Sequence, residues 1–324
     1  MPTRTSAAAR PAAARSSPTN DAAALPRLGL CCSFRDQPIR FRNTTVAAAL
    51  RLSERERRRK LAELCSANAE ALLEALRWCR DHGIGSFRVV SQILPLASHP
   101  ECGYSLTELP DGERIATRFR ECGALAAEAG IRTGFHPDQF VVLNSQRPEV
   151  IEASIRELAY QAEVAELIGA DTLNIHGGGV FSDKQRALDD FCRTVDRLSD
   201  SIRSRLTVEN DDHHFAPADL LPVCRRLGIP LVYDVHHHRC CTDELTIDQA
   251  IAAARETWNR EPLFHLSSPL EGWNGPKPER HHDLIDPADF PEAWFDAGIT
   301  VEVEAKAKEV AVLKLRDDLS RPSR

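Results

Sequence analysis

The chain has 324 residues, 42% of them hydrophobic, and a formal net charge of −7 at pH 7. That length fits one large barrel or two ordinary domains, and the acidic balance argues against a uniformly basic nucleic-acid binder while leaving room for a local basic patch. No run of 18 apolar residues occurs, so no helical membrane span is expected, and the ten cysteines are scattered without a C-x-x-C pair, as reduced thiols of a cytoplasmic protein would be.

Residues 1–26 are low in complexity and rich in Ala, Pro and Ser, and they lack the apolar stretch of a secretory signal. We expect a disordered tail there and one folded domain over 27–324. From Arg27 onward, short apolar runs alternate with longer amphipathic ones. RLGLCC (27–32) opens the series. A loop follows, 33–45, in which Arg35, Arg40 and Arg42 face one acid, Asp36. On a substrate-binding rim these arginines would neutralise phosphates; elsewhere they are an ordinary solvated loop. Residues 56–83 repeat apolar positions every three or four residues, as a helix does. SFRVV (86–90) is the second strand, and the loop after it carries His99. RTGFH (132–136) ends on His136, with Gln139 and Phe140 close behind. An aromatic beside an amide on a loop tip can wedge into stacked bases, although Phe140 could equally be core. A second long helical pattern spans 150–170.

TLNIH (172–176) ends on His176 and runs into Gly177, Gly178 and Gly179, which permit close approach to a ligand or merely a tight turn. LTVEN (206–210) carries Glu209. PLVYDV (230–235) carries Asp234 and is followed by three histidines, His236, His237 and His238. LFHLS (263–267) holds His265, and TVEVEA (300–305) holds Glu304. Gly83, Gly130, Gly169, Gly228 and Gly298 stand where helices would end. Eight strands alternating with helices imply a parallel sheet, and at this length a closed (β/α)8 TIM-type barrel is the expected fold. A doubly wound open sheet is the alternative, but no G-x-G-x-x-G follows the first strand.

In such a barrel every strand ends on one rim. A lone histidine at a strand end is an ordinary structural residue. Carboxylates and histidines at the ends of six consecutive strands are costly to bury together without cations. His99, His136, His176, Glu209, Asp234, His237, His265 and Glu304 are therefore the candidate metal ligands. Imidazole and carboxylate without thiolate suit zinc, manganese or iron. Eight ligands exceed one ion, so two or three ions sharing a bridging carboxylate are expected. Such centres hydrolyse phosphodiesters; sugar isomerisation is the competing chemistry.

Taken together, FRVVSQILPLASHP, GFHPDQFVVLNS, NIHGGG, TVEND, YDVHHH, FHLSS and VEAKAKE resemble the UV damage endonuclease family, in order, over most of residues 27–310. The resemblance implies a barrel related to that of endonuclease IV-like apurinic endonucleases and a cluster of ions, typically Mn²⁺, with Zn²⁺ as the alternative. It implies metal roles for the same eight residues, with Glu209 as the bridging, catalytic carboxylate. It further implies damaged duplex DNA as the partner, cleavage 5′ to cyclobutane dimers and 6-4 photoproducts, and Gln139 and Phe140 as the pair that probes the lesion. Arg40 and Arg42 are the expected phosphate contacts. Many members have Tyr where this chain has Phe140, and some place a modified lysine where it has Leu263. The rival functions are an apurinic-site endonuclease and a metal-dependent sugar isomerase or epimerase.

Overall fold

The structure is a computed structural model that describes residues 24–181, 183–295 and 297–321. Apart from 24–26, the expected tail lies outside the described residues. Eight parallel strands close in chain order: β1 (Arg27–Cys31), β2 (Ser86–Val89), β3 (Arg132–Phe135), β4 (Thr172–His176), β5 (Leu206–Glu209), β6 (Leu231–Asp234), β7 (Leu263–Leu266) and β8 (Thr300–Val303). β1 pairs with β2 through Gly29↔Ser86 and with β8 through Gly29↔Glu302, which shuts the barrel and excludes the open sheet. No described helix is long and apolar enough to cross a membrane.

Alternation along the strands sorts two environments. Phe87, Phe135, Ile175, Val208, Phe264 and Val301 belong to the apolar core shared with the helices. The residues between them carry polar groups that meet inside the barrel: Arg88 donates to Glu302, and Asn174 donates to Glu209. Gly29 makes room for this interior, because a Cβ there would lie 2.9 Å from Ser86 Cβ and 3.1 Å from Glu302 Cγ.

The helices follow from local sequence. Ser53 and Glu56 form a reciprocal capping box at the start of the helix Glu54–Asp81. Leu61, Cys65, Ala69, Leu72, Leu76 and Cys79 then recur at helical spacing and are buried. Each buried leucine contributes about 1.5–3 kcal/mol, and Leu72→Ala would cost about 2–5 kcal/mol. The same helix buries Asn68, which accepts from Arg42 N at 2.7 Å and donates to Arg42 O and Ile93 O, both at 2.9 Å. One side chain thus fixes two rim loops. The helix Pro148–Ile168 ends on Gly169 at φ +70, a left-handed cap that glycine adopts without strain.

Most strands end one or two residues before the expected position, and at β6 the reason is explicit. β6 stops at Asp234 instead of Val235, because the Asp234 side chain accepts from His237 N at 2.8 Å and caps a short helix, Val235–Cys240. His236, His237 and His238 therefore lie on a helical turn and point three ways.

Candidate metal centre

The C-terminal ends of the strands form a cup. His136 follows β3, His176 ends β4, Glu209 ends β5, Asp234 ends β6, His265 lies in β7 and Glu304 follows β8. Two ligand groups result, each with donor atoms within 4.8 Å of one another: His136, Glu209, His265 and Glu304, and His176, Glu209 and His237. Glu209 belongs to both. Its Oε2 lies 3.0 Å from His136 Nε2, and its Oε1 lies 3.1 Å from His265 Nδ1 and 3.2 Å from His237 Nδ1. Asn174 Nδ2 donates to Glu209 Oε2 at 2.5 Å, and Thr207 Oγ1 donates to Asn174 Oδ1 at 3.0 Å, so a polar relay holds the shared carboxylate. Asp234 stands at the edge of the second group, its Oδ2 3.6 Å from His237 Nδ1. His237 Nδ1 is also 3.0 Å from Asn210 O, a backbone acceptor that leaves Nε2 for a ligand.

Charge is concentrated here. Burial alone would raise the Glu209 carboxyl, but His265, His176 and His136 hold it well below the usual range. Burial would lower His237, yet Asp234 and Glu209 lift it well above the ordinary imidazole value. His265 is pushed up to about 10, burial opposing and Glu209 prevailing. His136 Nδ1, His176 Nδ1 and Asp234 Oδ2 are buried without an aligned hydrogen bond. Orphaned polar atoms this dense need a partner, and imidazole nitrogens with carboxylate oxygens are ligands for divalent cations. The residues present fit such ions.

The family model for UV-endonuclease UvdE matches residues 26–323. The chain belongs to the UV-endonuclease family. It is 37% identical to a UV DNA damage endonuclease of Deinococcus radiodurans, over 92% of this chain and 97% of that protein. A UV-damage endonuclease of Neurospora crassa is 38% identical over 78% of this chain and 40% of its own length. The crystal structure of SacUVDE superposes with a TM-score of 0.80 at 28% identity, covering 91% of this chain and 98% of that one. Endonuclease IV from Thermus thermophilus, at 15% identity and TM-score 0.57, shares the fold, covering 91% of this chain and 97% of that one. This UV endonuclease is thus an enzyme of DNA repair that acts on phosphodiester bonds.

Not every expected residue of the endonuclease joins the cup. His99 lies outside both ligand groups: its Nδ1 accepts from Glu101 N at 3.2 Å, and the ring lines a neighbouring cavity. The loop after β2 folds on itself through that contact and Gly103 N→His99 O. Gln139 and Phe140 stand on the rim, and Phe140, 78% exposed, is not core. Arg40 turns its guanidinium back to Phe34 O and Ile39 O, whereas the exposed Arg42 is pinned only by its backbone on Asn68. Leu263 is buried in β7 beside Thr300. The triple glycine serves packing: a Cβ on Gly178 would lie 2.1 Å from Asn144 Oδ1, and Asn144 Nδ2 donates to Gly177 O and Gly179 O, each at 3.0 Å.

Three residues were not anticipated from sequence. Arg88 Nη2 reaches Glu304 Oε1 at 2.6 Å, and Arg88 Nε reaches Glu302 Oε2 at 2.5 Å. Glu302 Oε2 lies 3.3 Å from His265 Nε2. His281, on the loop after β7, lies 3.8 Å from Glu304 Oε2, with its ring centroid 6.2 Å from that of His237. A charge in the middle of each apolar run, Arg88 in SFRV and Glu302 in TVEV, was the available signal. His281 carries none beyond its histidine neighbour. His238 is structural, bonded to Tyr233 Oη at 2.8 Å and Asp243 Oδ1 at 3.0 Å.

Proposed function

We propose that this endonuclease nicks duplex DNA 5′ to cyclobutane dimers and 6-4 photoproducts, with abasic sites as a further substrate. The cup would hold two or three divalent ions, Mn²⁺ in the first place and Zn²⁺ as the alternative, in a cytoplasmic protein working at the nucleoid. The observation that carries the reading is Glu209, one carboxylate common to two ligand groups in a family of endonucleases.

His136, His265 and Glu304 would hold one ion and His176 and His237 another, with Asp234 completing the second and Glu209 shared; bound there, the ions supply Lewis acidity at the phosphodiester. Asn174 and Thr207 keep the Glu209 oxygens fixed, which limits reorganisation during the reaction. Arg88, itself buried between Glu302 and Glu304, offsets their charge. A photoproduct unstacks at low cost because its pairing is already damaged. Gln139 and Phe140 would fill the gap, and Arg42 would meet a phosphate.

Nicking of supercoiled plasmid with Mn²⁺ tests this. Irradiated plasmid should be relaxed and untreated plasmid spared, and Glu209→Gln should abolish the difference. Equal inactivity on both plasmids overturns the reading. Oligonucleotides with a single abasic site or a single dimer, compared side by side, separate the apurinic-site alternative. Turnover of free ketoses without DNA cleavage would favour an isomerase.

A further inference from the structure

The end of the barrel opposite the cup, where the strands begin, carries a cluster of arginines that the mechanism above does not use. Arg132 opens β3, Arg205 immediately precedes β5, and Arg260 lies shortly before β7. Asp171, just before β4, stands among them. Arg132 Nε donates to its Oδ1 at 3.1 Å, and Arg260 Nη2 donates to its backbone O at 2.9 Å. The Arg132 side chain is only 9% exposed, and its Nη1 and Nη2 are buried without a hydrogen-bond partner. Arg260 Nε is buried without one too, Asp171 Oδ2 standing 3.7 Å away. Both guanidinium groups lie against Trp258, with Cζ 5.4 Å and 5.3 Å from the ring centroid. Among the described residues, Asp171 and Glu166 are the carboxylates within 4 Å of these three arginines, and Glu166, itself exposed, reaches only Arg205, at 4.0 Å. Glu261 feels Arg132 as well but is bonded to Arg27 and Thr300.

Arg205, Arg260 and Asp171 line a cavity of about 330 Å³, together with Gly169, Ala170 and Ser204. We propose that this cavity binds a phosphate group, as inorganic phosphate or as a phosphate monoester. The Asp171 carboxylate is engaged by Arg132. Arg205 is held by backbone carbonyls, Nε on Ala170 O at 3.1 Å and Nη1 on Ser201 O at 3.0 Å, and Arg260 Nη1 rests on Asn259 Oδ1 at 3.0 Å. Those acceptors fix the two guanidinium groups in place but carry no charge to offset theirs. Part-buried cations in excess of their counter-ions are costly. Burial draws the Arg260 guanidinium below its ordinary value, Arg132 and Arg205 adding to the effect and Asp171 opposing it. An oxyanion in the cavity relieves that excess. The planar fork of arginine matches phosphate oxygens, and a tetrahedral anion can meet two guanidinium groups from different loops with separate oxygens. The volume lies near the lower end of small-ligand pockets, roughly 300–1,000 Å³, which suits a small phosphate compound. No residue of the cup takes part, so the proposal stands apart from the endonuclease reading.

The full-length, Mn²⁺-loaded protein, free of excess metal, is titrated with inorganic phosphate, adenosine 5′-monophosphate and adenosine at fixed ionic strength. Tryptophan emission and melting temperature are followed. Trp258 touches both Arg132 and Arg260 and so reports on this end of the barrel, and Trp258→Phe identifies its share of the signal. A saturable change in Trp258 emission and a rise in melting temperature are expected with the phosphate compounds and not with adenosine. Saturation by one anion and not the other tells which source supplies the group. Ser204 forms an exposed part of the wall, so Ser204→Glu sets a negative charge over the cavity without disturbing the arginines. It should weaken the Trp258 response on the order of 10-fold or more, whereas Ser204→Gln, similar in size and neutral, should match the parent. Arg260→Gln should weaken it as Ser204→Glu does, its melting in chloride serving as the check on folding. Phosphate bound at the cup would affect both Ser204 variants alike. Absence of a saturable Trp258 response in the parent, or equal affinity in Ser204→Glu and Ser204→Gln, overturns the proposal.

Discussion

Glu302 Oε2 lies 3.3 Å from His265 Nε2, while the opposite ring nitrogen of His265, Nδ1, faces Glu209 at 3.1 Å and Glu304 at 3.3 Å. A carboxylate behind a histidine fixes its tautomer and ring orientation. Arg88 Nη2, which can only donate, stands 2.8 Å from the same Nε2 and bonds it only in the form without a proton there; a cation on Nδ1 would select the other form, whose Nε2–H points to Glu302. Burial would raise the Glu302 carboxyl, but Arg88 and His265 draw it down to about 2 and keep it charged.

Glu302→Gln should therefore weaken divalent-cation binding by about 10- to 100-fold. Competition against a chelating dye measures this directly. Unchanged affinity in a folded variant would show that Glu302 does not orient the histidine.

Phe140→Ala should leave stability within about 0.5 kcal/mol, since little of the ring is buried. It should reduce the preference for dimer-bearing over undamaged duplex by about 1–3 kcal/mol, the value of stacking on one base. Phe140→Tyr should retain the preference. Competition binding between the two duplexes gives the answer, and an unaltered ratio for Phe140→Ala rules out a probing role.

Asn144→Ala should destabilise the protein by about 1–3 kcal/mol, because it strands the buried carbonyl of Gly177 and the half-buried one of Gly179. Urea unfolding measures it. A loss below about 0.5 kcal/mol would mean that water replaces the side chain.

Burial holds the Glu157 carboxyl above its ordinary range, with Ser98 and Gln161 pulling the other way. A folded-state pKa above the unfolded one means that the protonated form favours the fold. That contribution is complete below the unfolded value of about 4.3 and is lost as pH rises through the folded value. Glu157→Gln should accordingly raise the melting temperature relative to the parent at pH 8 and not at pH 4, measured in chelator. A gain of the same size at both pH values would contradict the assignment.

The barrel was legible because its signals are local. Apolar runs bounded by polar residues, glycine or proline mark each strand, and all eight appear within two residues of their expected ends. His136, Glu209, His265 and Glu304 were legible for a topological reason: barrel closure alone brings strand ends together. His99 sits on a loop that strand geometry does not bind, where Gly103 N→His99 O and the contact of Glu101 N with its ring close a turn that no periodicity announces. Glu302 was readable in principle, since a period of two puts it on the same inward face as Glu304. Arg88 looked like one stray charge in an apolar run; only the partners Glu302, Glu304 and His265, over 170 residues distant, explain it.

The chain enters the barrel at Arg27, which donates to Gly85 O and Gly130 O and pairs with Glu261, all at junctions leading into strands. That entry is on the side away from the cup. A fusion partner or surface tether attached upstream of Arg27 would project from the rear of the molecule. Immobilised in this way, the enzyme would present its rim to a passing duplex, a convenient geometry for watching single binding events.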